Sequence, residues 1–290
     1  MGLKIEQINS DNKVVAVAEG ENEAVLNTVY EDGDALVFTT DEKYISVKLH
    51  NDVKETILYI PDGSFRFPIP VGQALAGFAM GTFEGEQTVS VRVTPTEALG
   101  EYRNLALNPL DYRIASEVVD PDAQEWSNPT DSPAIERGEI KAFPHVYANR
   151  VTRNEGCFYA RNAVDGFINQ AGHGNYPYHS WGGAVHEDLT FAVYFGRPVK
   201  VDKLVLYLRA DFGLDANGRE HDTYWHTARI ELSDGYDVEI NPKKSDSGQE
   251  FDLGEHTTEW LKLSRLDPYR SDMSLNYAAL TQLEIMGKEL

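Results

Sequence analysis

Short apolar runs with an alternating pattern, separated by turn residues, restrict this chain more than any other feature. From Lys43 to His50, Tyr44, Ser46 and Lys48 alternate with Ile45, Val47 and Leu49. That is the two-residue period of a half-buried strand. Similar β-rich runs occupy Lys13–Glu19, Ala24–Tyr30, Ala35–Thr40, Glu55–Ile60, Phe65–Ile69 and Thr88–Thr94, with turns at Glu31-Asp32-Gly33-Asp34 and Pro61-Asp62-Gly63. Val71–Met80 reads as either a helical turn or a loop. After a proline-punctuated stretch (Pro95, Pro109, Pro121, Pro129, Pro133), runs resume at Thr190–Phe195, Lys203–Arg209, Ala228–Leu232, Val238–Ile240, Glu259–Leu263 and Leu280–Met286. No amphipathic helix longer than two turns is evident. Turns recurring about every 8–12 residues predict sandwiches or barrels. The expected class is all-β, as two antiparallel β-sandwich (jelly-roll) domains over 1–95 and 134–290, with a surface-packed connector at 96–133. A faint repeat, Tyr44–Ile60 laid on Phe191–Leu208, suggests that the two halves share a topology.

Acidic residues outnumber basic ones by 47 to 26, a formal charge of -21. Sequence-independent nucleic-acid binding rests on neutralising phosphates with Lys and Arg, so nucleic acid is an unfavourable partner. Anionic membranes and polyanionic glycans are disfavoured on the same ground. Neutral partners fit best. Cys157 is the only cysteine, which excludes an internal disulfide and predicts a small buried hydrophobe. The opening MGLKIEQINS has no apolar h-region, and no run reaches the roughly 18 apolar residues of a spanning helix. As given, the expected location is cytoplasmic, or secreted or cell-surface if a leader was removed.

The stretch Ala160–Trp181, ARNAVDGFINQAGHGNYPYHSW, is the chain's most unusual segment. Asp165-Gly166 is turn chemistry. Gly172, Gly174, Asn175 and Pro177 then forbid a helix or a central strand. A long loop carrying His173, Tyr176, Tyr178 and His179 inside a compact domain points to function.

From about residue 104 to 290 the chain resembles the discoidin-like (coagulation factor 5/8 type C) domains, and among them the galactose-binding-like carbohydrate-binding modules. The resemblance is carried by Ala160–Gly166, by Ser180-Trp181, by Leu189–Phe195 with Gly196-Arg197-Pro198-Val199 and Val201–Tyr207, and by Leu280–Gly287. The loop before Ser180 is longer than in the family, and Asp211–Thr227 looks like an insertion. The resemblance implies a structural calcium under the Asp-Gly loop. Its ligands would be the carboxylates of Asp165 and Glu284, the Ser180 hydroxyl, and carbonyls near Asn162 and Ile168. The plainer alternative is that Asp165 caps its own turn and Glu284 faces solvent.

The same resemblance implies a glycan partner held by stacking and hydrogen bonds. His173, Tyr176 and Tyr178 lie on one loop, while Arg209, Asp211, Tyr224, Trp225 and His226 follow a strand end. In such a fold the two groups meet at one end of the sandwich. Trp181 is expected in the core, and Trp225 is divided between core and pocket. The favoured expectation is non-catalytic recognition of a neutral glycan. A glycan-active hydrolase or lyase using His221, Asp222, His226, Asp211, Asp215, Glu220 and His173 is the rival, although no H-E-x-x-H or G-x-S-x-G motif occurs. A partner-docking scaffold is the third reading.

Overall fold

The alternating runs of the first half become eight strands: β1 (Leu3–Ile8), β2 (Val14–Gly20), β3 (Glu23–Val29), β4 (Ala35–Thr40), β5 (Tyr44–Lys48), β6 (Thr56–Tyr59), β7 (Ser64–Pro68) and β8 (Glu86–Val93). The computed structural model describes residues 2–117, 131–183, 188–209, 216–218, 223–269 and 277–290, with backbone alone at 125–127. Two four-stranded antiparallel sheets result, in the orders β2-β1-β4-β7 and β3-β8-β5-β6. Their inner faces supply Leu3, Ile5, Phe38 and Phe67 from one side and Ile45, Val47, Leu58 and Val89 from the other, all essentially without solvent contact. Each such side chain contributes about 1.5–3 kcal/mol by leaving water. Phe38 and Phe65 stack at 4.7 Å.

The second sandwich comprises β9 (Arg103–Asn104), β10 (Glu125–Ser127), β11 (His145–Ala148), β12 (Arg150–Thr152), β13 (Trp181–Gly182), β14 (Phe191–Leu208), β15 (Trp225–Leu232), β16 (Asp237–Ile240), β17 (Gln249–Pro268) and β18 (Ala279–Glu289). Strands β14 and β17 serve both layers. Phe191–Tyr194 pair with Leu263–Trp260, whereas Val199–Leu206 pair with Thr258–Gln249 after a register shift. Before the shift β14 also borders β11; beyond it, β18. Strands that pass from sheet to sheet do so at such bulged corners. Gly196, at φ 69°, makes this one, and a Cβ there would lie 2.5 Å from the Phe143 ring.

That corner corrects two expectations. Thr190–Phe195 and Lys203–Arg209 belong to one continuous strand rather than two. The proposed repeat also fails as topology: Tyr44–Ile60 is built around the β5–β6 antiparallel pair, whereas Phe191–Leu208 runs on through Gly196. The connector does more than pack on a surface. Within it, β9 pairs with β18, Leu105 and Ala106 enter the second core, and Leu110 enters the first. Val71–Met80 contains a single 3-10 segment, Gly72–Gly77. Cys157 and Trp181 are buried as expected.

Between the sandwiches lies a line of buried ions. His145 on β11, 1% exposed, places Nδ1 2.9 Å from Asp111 and Nε2 3.0 Å from Glu117. Asp111 also accepts from the Val146 amide, and Ser132 donates to Glu117. Burial opposes charging this imidazole, but Asp111 and then Glu117 override it and hold the pKa up at about 10.

Because this pKa stands above that of an unfolded histidine, the ion line stabilises the fold fully below about pH 6.5. The contribution drains away as pH climbs toward about 10. His145→Gln should lower stability by about 3–5 kcal/mol at pH 6, because it strands two buried carboxylates. Urea unfolding from pH 6 to 10 should show the parent's advantage over the variant shrinking with pH. A gap constant across that range would show that the imidazolium is not the stabilising species.

Candidate functional site

One end of the second sandwich gathers the ends of several strands. Ala148 pairs with Phe191, Trp225 with Pro268, and Trp181 and Leu208 both border Leu280. A cavity of about 140 Å³ opens there among Thr152, Arg153, Phe158, His173, Gly182, Arg209 and Tyr277–Ala279. Its floor is the buried Phe158 ring. Gly182 allows that ring's approach, since a Cβ would stand 3.2 Å from it. Arg209, 3% exposed, ends the β14 edge: its amide donates to the Ala279 carbonyl (3.0 Å) and Nη2 to the Tyr277 carbonyl (3.2 Å). On the opposite wall, Thr152–Glu155 forms a tight turn closed by a Glu155 amide to Thr152 carbonyl bond of 3.2 Å. Arg153 and Asn154 hold φ of 49° and 51° in it, the left-handed region that non-glycine residues seldom occupy. The turn sets the Arg153 guanidinium 5.5 Å above the Phe158 ring, where Glu155 accepts both of its hydrogen bonds at 2.7 Å. His173 and Tyr277 form the exposed rim.

The expected sugar-contacting residues therefore divide. His173 and Arg209 meet in this pocket. Tyr176 turns away from it: its ring lies against Phe167 (4.8 Å) and His179 (5.3 Å), and its amide donates to Ala76 of the first sandwich (2.7 Å). Tyr178 is 38% exposed and covers Gly172. Trp225 corrects the pocket expectation, being 2% exposed with its ring 5.5 Å from Trp181 in the core. Its ring is packed on the core side and is not among the residues that line the pocket. His226 stands outside the pocket's lining, 3.6 Å from Asp267 and edge-on to Tyr269. Asp211 lies outside the described residues, as do Asp215, Glu220, His221 and Asp222. Phe158, Tyr277 and the Arg153 turn were not expected. Only the Tyr277 position, just ahead of the closing strand, had a readable signal.

The calcium donor set does not fit as arranged. Both oxygens of Asp165 are engaged: Oδ1 accepts from the Phe167 amide (2.9 Å), while Oδ2 meets His179 Nε2 (2.7 Å) and Arg161 Nη2 (3.5 Å). Donors thus stand where a cation would. Ser180 Oγ is buried without a hydrogen-bond partner. Glu284 is half-buried; burial raises its pKa, and Lys54 of the first sandwich opposes the rise. The tie from the Asp-Gly loop to the last strand is made by Gln282, which accepts from the Gly166 amide (3.1 Å). Among the described residues, no group of three or more His, Cys, Asp or Glu converges to hold a metal. Asp111, His145 and Glu117 form a line through the imidazole rather than a cage. Among the same residues, no helix is long and apolar enough to cross a membrane.

No family model and no curated protein matches the chain. Among solved structures it is similar to chitosan-binding module 1 of a chitosanase/glucanase from Paenibacillus sp. IK-5, at 13% identity and a TM-score of 0.37, over 64% of this chain and all of the other. It is also similar to the family 32 carbohydrate-binding module of a C. perfringens protein in complex with galactose (15%, 0.35, covering 49% and 91%). A fucose binding module of Streptococcus pneumoniae is similar too (18%, 0.34, covering 49% and 92%). All three are carbohydrate-binding modules. At such scores their ligands are no guide to this chain's.

Asp165→Asn should destabilise the fold by about 3–5 kcal/mol, since it leaves the buried Arg161 guanidinium without its carboxylate. Neither calcium nor EDTA should move the parent's thermal midpoint. A midpoint that rises with calcium concentration would restore the metal reading.

Proposed function

We propose that the second sandwich binds a neutral sugar residue of a glycan in the cavity between His173, Arg209 and Tyr277. The observation that carries this reading is the convergence of an aromatic floor, Phe158, with a buried guanidinium, Arg209, and an exposed imidazole, His173, in one small concavity. A pyranose presents apolar C–H faces and a rim of hydroxyls. Ring surfaces take the first; guanidinium and imidazole nitrogens take the second. Arg153 is charge-balanced by Glu155, so the wall adds little net positive charge.

Recognition without turnover is the form this takes. His145 and its two carboxylates, one described acid–base grouping, are buried and do not line this pocket. A glycan-array screen of the full chain, followed by titration calorimetry on its best sugar, tests the proposal. His173→Ala and Tyr277→Ala should each weaken binding by about tenfold or more, or roughly 1.4 kcal/mol. Both side chains are exposed, so the melting midpoint should stay put. Undiminished affinity in both variants would move the site elsewhere, and turnover of a chromogenic glycoside panel would overturn the non-catalytic reading.

A further inference from the structure

A second and larger concavity, about 770 Å³, lies between the two sandwiches. One wall is the loop from Ile69 to Glu84 with the Tyr30–Asp32 turn; the other is Glu155, Cys157, Asn175 and Tyr176. Its size falls within the range of ligand sites, which favour inter-domain clefts. The glycan reading makes no use of it.

Three features describe what fits there. First, the loop presents aliphatic side chains to water: Val71 is 49% exposed, Leu75 42% and Met80 96%. Second, the lining includes Glu31, Asp32 and Glu84 and no Lys, Arg or His. Among the described residues these three carboxylates form no ion pair, whereas Glu155 is matched by Arg153. Third, Tyr30 Oη is buried at the cleft with no hydrogen-bond partner. The walls are fixed in place. Asp34 accepts from the Glu31 amide (2.9 Å) and pins the acidic turn. Gln73 accepts from the Gly156 amide (3.0 Å), and Ala76 accepts from Tyr176. At Gly156 a Cβ would stand 1.6 Å from the Gln73 carbonyl, so the lobes meet backbone to backbone.

We infer that this cleft is a docking site for a short peptide segment carrying both aliphatic and lysine or arginine side chains. Aliphatic knobs need apolar partners, and three exposed carboxylates with no cation among the lining residues favour cations and repel anions. A sugar chain would want open aromatic faces. The Tyr176 ring already lies against Phe167 and His179, and Phe78 and Phe83 are buried.

The test is fluorescence anisotropy on the full chain at about 150 mM salt, where distant surface charge is screened. The probe is a labelled hexapeptide of alternating leucine and lysine, capped at both ends. Saturable binding is expected, weakened about tenfold or more in the Glu31→Gln/Glu84→Gln double variant and in Met80→Gln. These three side chains are exposed, so the variants should fold as the parent does. Acetylating the peptide's lysines should abolish binding. Equal affinity for a serine–lysine hexapeptide would reduce the effect to general attraction by an acidic protein and overturn the inference. So would parent-like binding in both variants, no saturation, or displacement of the probe by a neutral oligosaccharide.

Discussion

One buried guanidinium conditions the arrangement of everything around it. Arg161, 7% exposed, sits where the first sandwich, the connector and the Asp-Gly loop meet. Nη1 donates to the Gly77 carbonyl (3.1 Å) and Nη2 to that of Pro109 (3.1 Å), with Asp165 3.5 Å away and the Phe78 ring 4.0 Å below. Burial pulls its pKa down, while Asp165 and then Asp111 hold the charge in place. A cation taken out of water this far persists only when its fork is met from several sides. Here those sides belong to three separate stretches of chain, so the ion fixes their relative positions.

This constraint explains why the most conspicuous loop supplies so little of the pocket. The loop's aromatic side chains look suited to a ligand, but Tyr176 and His179 are drawn inward to back Asp165 and the neighbouring lobe. Only His173 and Tyr178 remain facing outward. The concavity forms instead where Arg209 leaves β14 and Tyr277 enters β18, over Phe158. A second ionic clamp serves the same lobe boundary: Glu289 accepts from Arg197 and Arg103, with Tyr44 reaching across from the first sandwich. Both clamps join the first sandwich to the second across that boundary.

Period-two alternation made the sheets legible, because a strand with one wet face must alternate whatever its partner. Trp181 was legible as core because it stands beside a strand start, and Cys157 because a free cysteine behaves as a small buried hydrophobe. The corner at Gly196 was not. G-R-P-V reads as a turn, and only the three-dimensional crowding of Phe143 shows that the strand bends there and continues. Trp225 illustrates a second limit, since an indole next to a loop serves a core or a ligand equally well until its neighbour is known. The Arg153 turn was not legible: Asn154 tolerates positive φ, but nothing in the sequence marks the same conformation at Arg153. Asp165 was legible as a turn residue but not as an ion-pair partner, because His179 lies 14 residues away and either a metal or a base satisfies a buried carboxylate.

A net charge of -21 describes neither concavity. The small pocket has Arg209 beneath it and Arg153 on its wall, whereas the large cleft has carboxylates and no cation. Local fields inside low-dielectric clefts are set by the nearest few groups, with more distant charge screened over about 8–10 Å. The two concavities therefore differ in their linings within one acidic molecule: guanidinium groups at the sandwich end, carboxylates and aliphatic side chains between the lobes. Arg161 ties the lobes together through Gly77, Pro109 and Asp165.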